Sequence, residues 1–180
     1  MNDMQRIATL LQLIGAMKAK GSWCGETHIQ KSTYLLQNLL QVRLNHRFVF
    51  YKHGPYSFDL HDELVSLRAD RLLRLSIVKD DYGPSWELTD AGKEIIEQFK
   101  PGTEDVSEGI EFVAEHVGSR GVAELERLST ALYVSLKNWE ASVQDRAEAL
   151  HTLKPHVPMD LALAAVRTLD EFRREATLPV

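Results

Sequence analysis

Between residues 72 and 88 the apolar side chains abandon helical spacing. Leu72-Leu73-Arg74-Leu75-Ser76-Ile77-Val78 and Ser85-Trp86-Glu87-Leu88 flank the turn-rich Lys79-Asp80-Asp81-Tyr82-Gly83-Pro84. Two short strand-like runs around such a turn read as a β-hairpin with a loop longer than two residues. Nearly everything on either side repeats at three and four residues, so the fold must seat a small β-element on a helical body.

Ahead of the hairpin, Ile7, Leu10, Leu11, Ile14 and Met17 line one face of a first helix over 4–19, which Gly21 and Gly25 end. Thr27 and Gln30 form a capping-box pattern, and Ile29, Leu36, Leu39 and Leu40 continue it as a second helix over 27–43. Arg47-Phe48-Val49-Phe50-Tyr51 is aromatic and β-branched and too short for a helix, so it reads as a strand that stops at Gly54-Pro55. Ser57 can then cap a third helix over 57–70, whose apolar stripe is Leu60, Leu64 and Leu67. After the hairpin, Thr89 or Asp90 caps a fourth helix carrying Ile95, Ile96 and Phe99, and Pro101-Gly102 stops it. The order helix, helix, strand, helix, hairpin, helix predicts a winged helix-turn-helix-like unit over residues 1–100, with a three-stranded sheet and the hairpin as its wing.

Beyond Pro101 the pattern is helical only. Val106, Ile110, Val113 and Val117 mark one helix, Leu125, Leu128, Leu132 and Leu136 a second, and Ser142 caps a third over 143–153. Lys154-Pro155-His156-Val157-Pro158 is a stiff linker to a last helix over 159–175. The fold class is therefore mainly α with a small β-sheet (α+β). A C-terminal helical extension, residues 103–180, is expected to pack on the N-terminal unit as one body.

Of the 180 residues 44% are apolar and 26% charged, an ordinary globular balance. No stretch approaches the roughly 20 apolar residues that span a bilayer, and the first residues lack the basic start and apolar run of a signal peptide, so a cytoplasmic protein without a membrane partner is expected. The single cysteine, Cys24, excludes an intrachain disulfide and reads as a buried thiol in a turn. The seven histidines include no pair at i, i+4 on one helix and none near the cysteine, so no zinc site is expected. His53 and His61 can approach Asp59 or Asp62, but nothing sets a nucleophile beside them. A phosphate-cradling glycine loop is also missing. The reading is of a chain with no catalytic residue, no metal and no cofactor.

The most distinctive segment is Tyr51-Lys52-His53-Gly54-Pro55-Tyr56-Ser57. Ile29-Gln30-Lys31-Ser32-Thr33-Tyr34-Leu35-Leu36 precedes it, and Trp86-Glu87-Leu88-Thr89-Asp90-Ala91-Gly92 follows. Over about residues 5 to 100 this combination resembles the YwgA-like and Panacea (SocA-type antitoxin) proteins, in which a Leu/Ile-Gln-Lys helix leads to an aromatic strand ending in Tyr/Lys-x-Gly-Pro. Leu153-Lys154-Pro155 is similar to the C-terminal region of the YwgA-like proteins. The resemblance implies a winged-helix fold, no cofactor, and a place near prokaryotic toxin, antitoxin or phage-defence loci. The chain departs from the pattern at Asp70, where such proteins often have a helix-ending glycine. A left-handed Asp is tolerable but costs more than Gly.

Charge bears on the partner. Residues 1–78 hold 10 Lys/Arg against 6 Asp/Glu and residues 79–180 hold 11 against 20, a division of +4 and −9. The third helix, which would enter a major groove, offers Asp59, Asp62, Glu63 and Asp70 against Arg68 and His61, and the wing tip adds Asp80 and Asp81. Carboxylates facing phosphates are repelled. The second helix, with Lys31, Gln37, Asn38, Gln41 and Arg43, is the alternative reader. The favoured function is a non-catalytic protein-binding regulator or antitoxin, or a defence-associated adaptor, with a toxin or defence component as partner. The alternative is a DNA-binding winged-helix transcriptional regulator. Candidate partner-binding residues are Lys31, Lys52, His53 and Tyr56 around the Gly-Pro corner. Glu108, Glu111 and Glu115 join them, in an acidic run with Glu104 and Asp105 that suits a basic partner. The basic N-terminal unit also complements the acidic half of a second copy, which makes a homodimer a further expectation.

Overall fold

A computed structural model of the protein describes residues 1–77 and 83–177. Asp80 and Asp81, at the expected wing tip, lie outside the described residues. Helix α1 (Asp3–Ala19) opens on a reciprocal cap, in which the Asn2 side chain accepts from the Gln5 N–H and the Gln5 side chain accepts from the Asn2 N–H. It buries Leu10, Leu11, Leu13, Ile14 and Met17. Helix α2 (Glu26–Asn38) is buried without a break from His28 to Leu36, so it is enclosed on every side and serves as the central helix.

Two expectations for α2 change. Its N-cap is Gly25, which has no side chain to accept a cap bond, so Thr27 and Gln30 lie inside the helix and the Gln30 amide bonds to Ser57 instead. The helix also ends at Asn38 and not near residue 43. Gln41 (φ 59°) and Asn45 (φ 62°) take left-handed backbone, and the irregular segment between them buries Val42 and Leu44.

Strands β1 (Val49–Tyr51) and β2 (Gly54–Tyr56) pair antiparallel, Val49 opposite Tyr56 and Tyr51 opposite Gly54. Gly54-Pro55 therefore begins a return strand, where the sequence suggested an end. Helix α3 (Phe58–Ala69) is capped as expected by Ser57, whose Oγ accepts from the Leu60 N–H at 3.2 Å. The left-handed residue after α3 is Arg71 (φ 61°), while Asp70 stays at φ −77°. The expected hairpin follows as β3 (Leu73–Ser76) and β4 (Ser85–Leu88), with Leu73 opposite Leu88. Because β1 pairs with its own return strand, the described residues hold two separate two-stranded sheets in place of one three-stranded sheet.

Helix α4 (Asp90–Phe99) is capped by Thr89 and runs into a 3-10 turn, Lys100–Gly102. Four helices follow: α5 (Glu104–Val117), α6 (Val122–Ser135), α7 (Val143–Leu153), capped by Ser142, and α8 (Met159–Thr177). Helix α5 packs on α1 and α2, and α6 packs on α2 and β2 while α7 and α8 cover its other side. One apolar core thus runs from Leu10, Ile14 and Leu36 through Ile110 to Leu125, Leu132 and Leu150. Each such fully buried aliphatic side chain contributes about 1.5–3 kcal/mol. The chain is mainly helical with a small antiparallel β content, and no described helix is long and apolar enough to cross a membrane.

Candidate functional site

The β1–β2 hairpin is held from beneath by polar side chains of distant origin. Gln30 of α2 grips Ser57 from both sides: its Nε2 donates to the Ser57 carbonyl and its Oε1 accepts from the Ser57 N–H, each at 2.9 Å. The next residue, Lys31, is only 1% exposed and donates from Nζ to the Pro55 carbonyl at 2.7 Å. Lys154, 4% exposed in the corner after α7, donates to the Lys52 carbonyl at 3.2 Å. Glu126 of α6 faces both arms of this clamp, with one oxygen 3.5 Å from Lys154 Nζ and the other 3.1 Å from His53 Nδ1. Gly54, at φ +91°, lies so close to α6 that a Cβ there would stand 3.0 Å from Thr130 Oγ1. The Gln-Lys pair, the Gly-Pro turn and the Lys-Pro corner, spread over more than 120 positions, are therefore one assembly.

Burial pushes the Lys31 ammonium down to about 8; Glu126 opposes that fall and Lys154 adds to it. The ammonium is retained because its hydrogen bond fixes a buried carbonyl that would otherwise have no partner.

The outer face of the hairpin is aromatic. Alternation along β1 turns Phe50 inward against Tyr133, at 4.9 Å between centroids, and leaves Val49 and Tyr51 outward. Tyr51, Tyr56 and Phe58 form a triangle of rings with centroid separations of 6.0, 5.7 and 5.1 Å. Tyr51 is 47% exposed and Phe58 53%. Val65, also exposed, lies seven residues after Phe58 and so shares its face of α3. The Tyr56 hydroxyl donates to Glu26 Oε1 at 3.4 Å, and the same oxygen lies 3.0 Å from His61 Nδ1. Burial first, and then the Glu26 carboxylate, push the Tyr56 phenol up to about 12.

Lys52 and His53 stand exposed at the hairpin tip, with the Lys52 ammonium 5.9 Å from the Tyr51 ring centre, and Tyr56 is half-buried beside them. Lys31 lies beneath the corner and presents no surface. Glu108, Glu111 and Glu115 are exposed on α5, where Glu115 is 3.5 Å from Lys20 and Glu108 lines a groove of about 570 Å³ with Leu40, Phe112 and Trp139. His53 and His61 meet Glu126 and Glu26, and not Asp59 or Asp62. Glu63 turns inward to Arg6 at 2.6 Å, so the outward carboxylates of α3 and its end are Asp59, Asp62 and Asp70. On α2, Gln37 is spent on both backbone groups of His46 and Asn38 on the Tyr34 carbonyl, which leaves that helix no reading face.

Sequence reasoning missed Tyr51 and Phe58 as surface residues, and Glu126 and Lys154 as partners of the corner. The alternation Val49, Phe50, Tyr51 carried a signal for the first; nothing local signals the second. Cys24 is buried at φ 53°, and burial raises its thiol above the ordinary range. Among the described residues no three His, Cys, Asp or Glu side chains converge as metal ligands would. No model of a known protein family matches the chain, and no curated protein matches it significantly.

Proposed function

We propose that this protein is a non-catalytic adaptor of winged-helix type that binds another protein through the aromatic face of the β1–β2 hairpin. Its partner is then a toxin or a defence component, the kind of partner implied by the resemblance of residues 5 to 100 to YwgA-like and Panacea proteins. The observation that carries the reading is the ring triangle in which exposed Tyr51 and half-buried Tyr56, on a hairpin that buried cations hold still, meet exposed Phe58 at the start of α3. Aromatic side chains already ordered before binding lose little entropy on contact, and such groups dominate interface energetics. An exposed apolar patch otherwise carries an aggregation liability.

The polar groups of the corner are engaged with backbone carbonyls and with one another, which suits a scaffold better than a reacting centre. Against duplex DNA stand the burial of α2 and the carboxylates on the outward face of α3. The test is co-expression with the products of adjacent genes, followed by affinity measurement on the isolated complex. Tyr51→Ser with Phe58→Ser should weaken the complex by about 2 kcal/mol or more, at least thirtyfold, while the helical circular dichroism is unchanged. Unaltered affinity, or a specific duplex bound tightly as salt is raised, would overturn the proposal.

A further inference from the structure

Behind the corner lies a second feature that docking through the aromatic face does not use. A cavity of about 190 Å³ opens between α6 and the segment from α7 to α8, with Leu150 and Leu161 in its wall beside Glu126, Arg127, Lys154 and His156. Its electrostatics are unbalanced. In its wall two cations, Arg127 and Lys154, face the single carboxylate of Glu126, whose oxygens are already turned to His53 and Lys154. A buried ion without a counter-charge costs several kcal/mol, on the order of the stability of a small domain.

The cavity wall has the means to take up the missing anion. Arg127 is half-buried and, among the described residues, makes no hydrogen bond or ion pair, so its planar fork of donors is unspent. Lys154 has three N–H donors, of which the Lys52 carbonyl takes one, while a Glu126 oxygen lies 3.5 Å from its ammonium. Arg127, Lys154 and Glu126 sum to one positive charge, which matches a single carboxylate. The volume admits a group the size of a short acid and falls below the roughly 300–1,000 Å³ of sites for larger ligands.

We infer that this cavity is a binding site for a single carboxylate, gripped by the Arg127 fork and the Lys154 ammonium. The carboxylate comes either from a free small acid or from an Asp or Glu side chain of a bound protein. The inference rests on the cavity alone. Its test uses no residue of the aromatic face, so it can fail while the docking proposal stands, and the reverse.

The 180-residue chain is titrated with acetate at constant ionic strength, with chloride as control, while NMR follows the Arg127 Nε–H and the His156 ring signals. Acetate should give saturable shifts and chloride none. Arg127→Gln should abolish them, and Arg127→Lys, which keeps the charge but loses the fork, should weaken binding about tenfold. Because Arg127 makes no side-chain hydrogen bond or ion pair among the described residues, these variants should keep the fold, which circular dichroism verifies. N-acetylglutamate amide then separates the sources. Binding at least as tight as acetate assigns the site to a polypeptide side chain, and exclusion of the capped residue assigns it to a free acid; both support the inference. Shifts that chloride reproduces, or saturation by acetate that survives Arg127→Gln, would overturn it.

Discussion

The two hairpins have strands of similar length, and each leads into a helix capped by a hydroxyl, Ser57 for α3 and Thr89 for α4, but they differ in what mainly holds them. The β1–β2 hairpin sits on directional polar contacts: Gln30, Lys31 and Lys154 each take hold of a named backbone group. The β3–β4 hairpin is seated mainly by apolar burial of Leu73 and Trp86 and by close backbone approach at Gly92, with three polar contacts beside them: the Trp86 N–H donates to the Cys24 carbonyl at 2.8 Å, and Lys18 Nζ to the buried Ser85 Oγ and Trp23 Nε1 to the Gly83 carbonyl, each at 2.9 Å. Apolar seating leaves its mark in the hydrophobic pattern. A polar clamp leaves none, because its side chains are of types that normally face water.

The largest expected effect separates the two glycines. A Cβ at Gly92 would fall 2.3 Å from the backbone carbonyl oxygen of Leu72, which cannot give way without moving the hairpin. Gly92→Ala should therefore cost about 3 kcal/mol, read from the urea midpoint. Gly54 has a left-handed φ, but its nearest neighbour is a Thr130 hydroxyl, so Gly54→Ala should cost about 1–2 kcal/mol. Equal losses would mean that both hairpins are limited by the same kind of contact.

Next come the side chains that fasten each hairpin to its helix. Gln30→Met leaves both the N–H and the carbonyl of buried Ser57 without their partner and should cost about 2–3 kcal/mol. Thr89 caps Gly92 and donates at the edge of the protein to the Arg71 and Leu72 carbonyls. Its loss in Thr89→Ala should cost about 1 kcal/mol. The reverse order would refute the polar clamp as the main fastening of β1–β2.

The same division explains what the sequence disclosed. The β3–β4 hairpin, the Ser57, Thr89 and Ser142 caps, and the helices of residues 104–177 follow from periodicity and end signals, because local chemistry decides them. Lys31 was read as a surface residue because lysine seldom lies 1% exposed; only the Pro55 carbonyl 24 positions later explains it. Gln30 was read as half of a capping box because no local rule says that its amide will meet Ser57. The early end of α2 depends on left-handed Gln41 and Asn45, and its complete burial on helices α5 and α6. Of the site, Lys52, His53 and Tyr56 were legible as a turn. The ring triangle needs the pairing of β1 with β2, whereas the Gly-Pro signal reads only as the end of a strand.

The clamp should also show itself in pH dependence. Burial lowers the Lys31 ammonium to about 8 from its ordinary 10.5. Between those values the unfolded chain keeps the proton and the folded chain sheds it, so stability should rise as pH rises through this window; below about 8 both states are protonated and this slope vanishes. The gain is on the order of 3 kcal/mol at most, and comparison with Lys31→Met isolates it, since the unpaired Pro55 carbonyl in that variant does not titrate. A wild-type minus variant difference that is flat from pH 8 to 10 would show that the ammonium is not desolvated as its burial indicates.

The smallest expected change in stability falls where the largest change in binding is proposed. Tyr51 and Phe58 are about half exposed and Ile77 is 73% exposed, so Tyr51→Ser, Phe58→Ser and Ile77→Ser should each alter stability by no more than about 0.5 kcal/mol. Their effects on a protein partner should diverge. Tyr51 on the clamped hairpin and Phe58 at the start of α3 belong to a set of touching rings, whereas Ile77, just past β3, joins no ring cluster among the described residues and lies on a hairpin seated from below by Trp86. Scattered exposed apolar residues are ordinary on protein surfaces; contiguous ones mark contact sites. Affinity should thus fall by at least thirtyfold for the ring pair and by less than about threefold for Ile77→Ser, measured by calorimetry on one partner. The opposite pattern would move the docking face to the β3–β4 hairpin and leave the ring triangle as packing between the hairpin and α3.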